Sequence, residues 1–151
     1  MRARNHALAG VGVALVIAAI AYARRTAPAP TRAVETTRAV RIVRRDQAGL
    51  PEKTGVVRDP PHVRALTEAL GVDDHPGAEC PADYAEAELG IVLSGSDVYA
   101  RRNVYVFGLL GDAGTSVGPR VVSVTSGGCH AGAPADLARL RNELRSAGVL
   151  D

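Results

Sequence analysis

Apolar and polar positions follow three rhythms along this chain, and each predicts a different kind of element. Residues 7–23, ALAGVGVALVIAAIAYA, carry no charge at all. Further on, Val63, Leu66 and Leu70 recur at helical spacing behind Asp59-Pro60-Pro61. Asp59 is a natural N-cap, proline suits the first helical position because no N–H is missed there, and Gly71 supplies a left-handed stop, so a helix is predicted from about Pro60 to Leu70. A second helix is expected after Pro134, with Leu137, Leu140, Leu144 and Ala147 on one face and Gly148 closing it.

Between the helices the period changes to two. Ala85, Ala87, Leu89, Ile91 and Leu93 alternate with Glu86, Glu88, Gly90, Val92 and Ser94, which predicts a strand with one wetter face. Residues 103–110 are apolar almost throughout and read as a central strand covered on both sides. Val121 to Thr125 gives another strand, and Gly55 to Arg58 a short one before the first helix. The predicted order is βαβββα. Neighbouring strands joined by short turns pair antiparallel, and two helices with one apolar stripe each cover one face. The expectation is therefore an α+β two-layer sandwich, with an antiparallel sheet of three or four strands and two helices on one face, preceded by an N-terminal apolar helix.

Three regions follow: a signal peptide or signal anchor over 1–23, a basic Pro/Ala/Thr-rich linker over 24–51, and a single domain over 52–151. Arg2 and Arg4 precede the apolar stretch, and Ala21 and Ala23 supply an A-x-A cleavage pattern, the layout of a secretory signal. Its seventeen residues would span about 26 Å as a helix, near the lower limit for a hydrocarbon core, so cleaved signal and uncleaved anchor both remain open. Either way the domain is expected outside the cytoplasm, secreted or held to the membrane by its N-terminal segment. The arginines that follow favour the reverse orientation by the positive-inside rule, which keeps that topology as an alternative.

Charge sharpens the division. Residues 24–51 hold seven Arg against Glu35 and Asp46, whereas residues 52–151 hold nine basic and fourteen acidic side chains. A domain of net charge −5, in a chain with 3% aromatic residues and no Trp, offers neither the basic surface nor the stacking platforms of a nucleic-acid binder. The core must be built from Val, Leu, Ile and Ala.

Cys80 and Cys129 are the only cysteines, and an even number in an exported domain predicts a disulfide. The bridge would remove both thiols from chemistry. The sharper alternative is a thiol- or zinc-dependent site built from His75, Cys80, Cys129 and His130, but neither C-x-x-C nor H-x-x-x-H spacing occurs. Adjacent Cys129 and His130 on a strand would also point to opposite faces. GDAGTSVG at 111–118 lacks the Lys-Ser/Thr of a phosphate loop, and Ser94, Ser96 and Ser126 sit in glycine-bearing turns rather than in G-x-S-x-G. Glu86 and Glu88 are expected to pair with Arg101 and Arg102 across strands, Asp73, Asp74 and Glu79 lack calcium-loop order, and His62 is expected to be merely exposed. No catalytic, metal or cofactor residue is assigned. The function expected is a non-enzymatic module binding a protein or envelope partner.

Val57-Arg58-Asp59-Pro60 at a helix start, Cys80-Pro81-Ala82-Asp83 and Gly128-Cys129 together resemble small cell-envelope proteins of G/C-rich bacteria that have no assigned activity. The resemblance covers about half the chain. It implies a secreted or anchored domain with one disulfide.

Overall fold

The computed structural model describes residues 32–46, 50–96, 101–110 and 118–151. The apolar segment over 7–23, the first part of the linker and most of the glycine-rich stretch at 111–118 lie outside these residues. Among the described residues no helix is long and apolar enough to cross a membrane.

Among the described residues seven strands form one antiparallel sheet, which overturns the expected α+β sandwich with a sheet of three or four. In chain order the elements are α1 (Arg32–Thr36), β1 (Thr37–Arg44), β2 (Lys53–Val57), α2 (Pro60–Leu70), β3 (Gly77–Ala78), β4 (Leu89–Gly95), β5 (Arg101–Phe107), β6 (Arg120–Thr125), β7 (Gly128–Gly132) and α3 (Leu137–Ser146). The spatial order is β2-β1-β4-β5-β6-β7-β3. The fold is mostly β.

The largest correction falls on the linker. Residues 37–44 are not a spacer but a strand lying between β2 and β4, with Ile42 opposite Gly55 on one side and Ile91 on the other. Val40, Ile42 and Arg44 alternate inward with exposed Arg41, and Val40 and Ile42 are fully buried. The strand period was present, but its third inward position is an arginine, so the stretch read as a basic tail. Two further strands, β3 and β7, were missed because they are short and built on glycine. The strand predicted from Ala85 starts only at Leu89, although the Glu88 amide already donates to the carbonyl of Val106 at 2.9 Å.

One face of the sheet carries the core. Leu89, Ile91, Leu93, Val104, Val106 and Val121 pack there with Val63, Leu66 and Leu70 of α2 and Leu140 and Leu144 of α3. Helix α2 spans the predicted residues, beginning with proline and ending at Gly71 in the left-handed conformation (φ 63°); Asp59 makes no side-chain cap bond. Helix α3 starts three residues after Pro134 and is capped by Asp136, whose carboxylate accepts from the Arg139 amide at 2.9 Å. Asp73, on the loop after α2, accepts from the Ala33 amide and pairs with Arg102, tying α1 to β5.

Arg44 is the one charged side chain buried in this layer among the described residues, 1% exposed. Its Nη1 donates to the carbonyl of Val149 at 3.0 Å and its Nη2 to that of Pro51 at 2.9 Å, while the Asp151 carboxylate lies 3.6 Å away. The guanidinium thus joins the end of β1 to the turn before β2 and to the segment after α3. Truncation leaves two carbonyls short of a donor and opens a cavity. Arg44→Ala is expected to lower the unfolding free energy of the oxidised protein by about 3 kcal/mol, read from urea denaturation.

Candidate functional site

Two places gather polar chemistry. The first is the sulfur bridge. Strand β3 pairs with β7, with Ala78 opposite Cys129 and Gly77 opposite His130, so Cys80, two residues on, arrives beside Cys129. The two are bonded, with Cα atoms 5.1 Å apart, and Cys129 is buried. From there the chain folds across the sheet face opposite the helices. Tyr84 lays its ring on that of Tyr105, with centroids 4.4 Å apart, and its hydroxyl lies 3.2 Å from Cys129 Sγ. The carbonyl of Tyr84 accepts from Arg45 at 2.5 Å, and Ala87 is completely buried.

The other residues of the alternative thiol or zinc set are held elsewhere. The Nε2 of His75 bonds the carbonyl of Ala133 at 2.8 Å, so this nitrogen carries the proton. The ring lies against Gly132, where a Cβ would come within 2.6 Å of His75 Cδ2. Glycine at 132 is what allows that approach. His130 sits opposite Ser123 and Gly77. The bond occupies both sulfurs, so a thiolate site at Cys80 and Cys129 would first require its reduction. Among the described residues, no three His, Cys, Asp or Glu side chains gather as a metal site would need.

One member of the acidic pair, Glu88, differs from expectation. Glu88 precedes β4 and does not face an arginine; its carboxylate accepts from the backbone amides of Leu109 and Leu110, the latter at 2.8 Å, and fixes the chain leaving β5. Arg102 pairs with Asp73 instead. Two free amides in a row attract a carboxylate more strongly than an exposed arginine does, because the amides would otherwise lose their hydrogen bonds on burial.

The second place is a cleft where β2 runs into α2 and meets the end of α3. It is lined by Val56, Val57, Arg58, Asp59, His62, Glu143, Ser146 and Ala147 and encloses about 180 Å³. Small-molecule sites usually enclose about 300–1,000 Å³, so this cleft has room for a side chain rather than a whole substrate. His62 Nδ1 lies 2.7 Å from Glu143 Oε2. That hydrogen bond, the Glu143 charge and, more weakly, Asp59 hold the imidazole above its ordinary value of 6.5 despite slight opposing desolvation. The pair was invisible in the sequence because its members are 81 residues apart on different helices. The available signal was indirect, namely one histidine on the first turn of one helix and one carboxylate near the end of another.

No family model matches the chain, nor does any curated protein or solved structure. What fold and site define is a disulfide-braced antiparallel sheet backed by two helices, with a small charged cleft at one edge.

A raised histidine contributes stability fully below its unfolded pKa and loses that contribution as pH climbs through the folded one. Titration of His62 by NMR is expected to give a midpoint above 6.5, and Glu143→Gln to bring it back toward that value. An unchanged midpoint in the variant would show that the contact does not set the charge.

Proposed function

We propose that this chain is a non-enzymatic extracytoplasmic domain, anchored in a membrane or secreted, that binds a protein or envelope partner. The observation that carries the reading is the Cys80–Cys129 bond, because a bridge of this kind persists in oxidising compartments and is rare in the reducing cytosol. It links residues 49 apart in sequence, which on the chain-entropy model is worth about 4 kcal/mol, a large part of the stability of a small domain. The uncharged stretch at 7–23, set between arginines, supports export in the same sense. The resemblance to small bacterial cell-envelope proteins fits this reading as well. The residues bordering the cleft serve contact better than turnover: His62 and Glu143 already satisfy each other, and the space beside them holds no more than a side chain of a bound partner.

The test is the redox state of the sulfurs in the cell. Protein trapped with an alkylating reagent in denaturant should show no modified cysteine before reduction and two afterwards, and should fractionate outside the cytoplasm. Two reactive thiols without reduction, or stoichiometric zinc in the purified protein, would overturn the reading and favour the thiol or metal site of Cys80, Cys129, His75 and His130.

A further inference from the structure

The sheet ends differently on its two sides. The β3 edge is two residues long and is followed at once by the disulfide loop, which is one way a fold blunts an edge. The β2 edge has five residues, pairs among the described residues only with β1, and holds no proline or bulge between Lys53 and Val57. Its lysine does not guard it, because Lys53 is paired with Asp151. Val56 on this strand is 53% exposed, and Leu50 ahead of the strand is 37% exposed; these are the exposed large apolar side chains among the described residues.

We propose that the β2 edge takes a second copy of this chain, strand against antiparallel strand, about a two-fold axis through Gly55. The sequence around that residue is self-complementary in this register. Residue 54 then faces 56 of the second copy, and Glu52 faces Arg58, twice over by symmetry. Glu52 and Arg58 lie one residue beyond each end of β2 and are both exposed; strand alternation carried one residue past each end puts them on the face of Val56, and neither has an ion-pair partner among the described residues. Isologous contacts require this reciprocity. Pro51 before the strand and Pro60 after it bound the paired stretch, since neither can donate to a ladder. An antiparallel addition of this kind is held by main-chain hydrogen bonds and given its register by side chains. The inference does not rest on the compartment proposed above.

The interface is smaller than a standard one, so association is expected at roughly 10 μM to 1 mM. The test is sedimentation of the full chain in mild detergent, alone and as charge variants, with circular dichroism and an intact disulfide as controls of folding. Glu52→Arg and Arg58→Glu should each weaken dimerisation about tenfold, because each turns both attractive contacts into like-charge ones. The double variant should regain the original affinity, and so should an equimolar mixture of the two single variants, which pairs opposite charges at both contacts. A chain that stays monomeric throughout that range, as it would if its own N-terminal residues or a different protein occupied the edge, overturns the proposal. So does a dimer indifferent to the single reversals, as one joined through residues 7–23 would be, or one the double variant does not restore.

Discussion

The buried guanidinium of Arg44 is the contact on which the rest of the structure leans. An ion removed from water is costly, and among the described residues the one carboxylate paired with this guanidinium, at the end of β1, is on the largely exposed Asp151. Its main compensation comes from two backbone carbonyls, those of Pro51 and Val149. These belong to the turn into β2 and to the chain leaving α3, two stretches that the Lys53–Asp151 ion pair also joins. Gly55 completes the junction: a Cβ there would lie 2.7 Å from the Ala147 carbonyl and from Val149 Cγ2, so only glycine lets the end of α3 settle on β2. The open edge and the charged cleft both stand on this junction, because β2 supplies Val56 to Val57 and α3 supplies Glu143 to Ala147.

The opposite side of the sheet is secured by other means. There the strands are short and rich in glycine, and hydrogen bonding alone would hold β3 weakly. The bond between Cys80 and Cys129 replaces missing apolar surface with a covalent link, and Tyr84 and Tyr105 add a stacked pair over the face that the helices do not cover. His75 on Gly132 finishes the seam. A fold with a single Phe and no Trp has few large side chains to spend on two faces, so it packs one with aliphatic residues and closes the other with a crossing loop.

How far the sequence disclosed this follows from where a local signal existed. Helix α2 carried proline at its start, glycine at its end and three apolar residues at the right spacing, and it lies where those signals put it. The cysteine pairing was legible because only one pairing was available. Strand β1 was not, since an inward arginine breaks the apolar alternation and its reason for being buried lies in Val149, 105 residues away. Strands β3 and β7 carried too few side chains to show a period. Glu88 looked like a member of a cross-strand pair, and its real partners are amides, which no side-chain pattern can reveal. The His62 and Glu143 contact shares that cause: it exists only because two helices lie against each other.

Placing β1 inside the sheet also changes how charge is distributed. The division between a basic linker and an acidic domain dissolves, because the folded unit from residue 32 onward has net charge −2 rather than −5. The total hides a local excess. Arg41 and Arg101 are exposed on the sheet face that also bears Val56, and the strand positions around them on that face hold Val92, Asn103 and Val124 but no carboxylate. Two copies stacked through this face would bring arginines toward arginines, and like charges brought together at an interface oppose association. The edge has no such conflict, because the two-fold about Gly55 sets each Arg58 against a Glu52. Repulsion on the face and complementarity at the edge thus act in the same direction, and they leave lateral strand pairing as the contact between copies that the charge pattern favours.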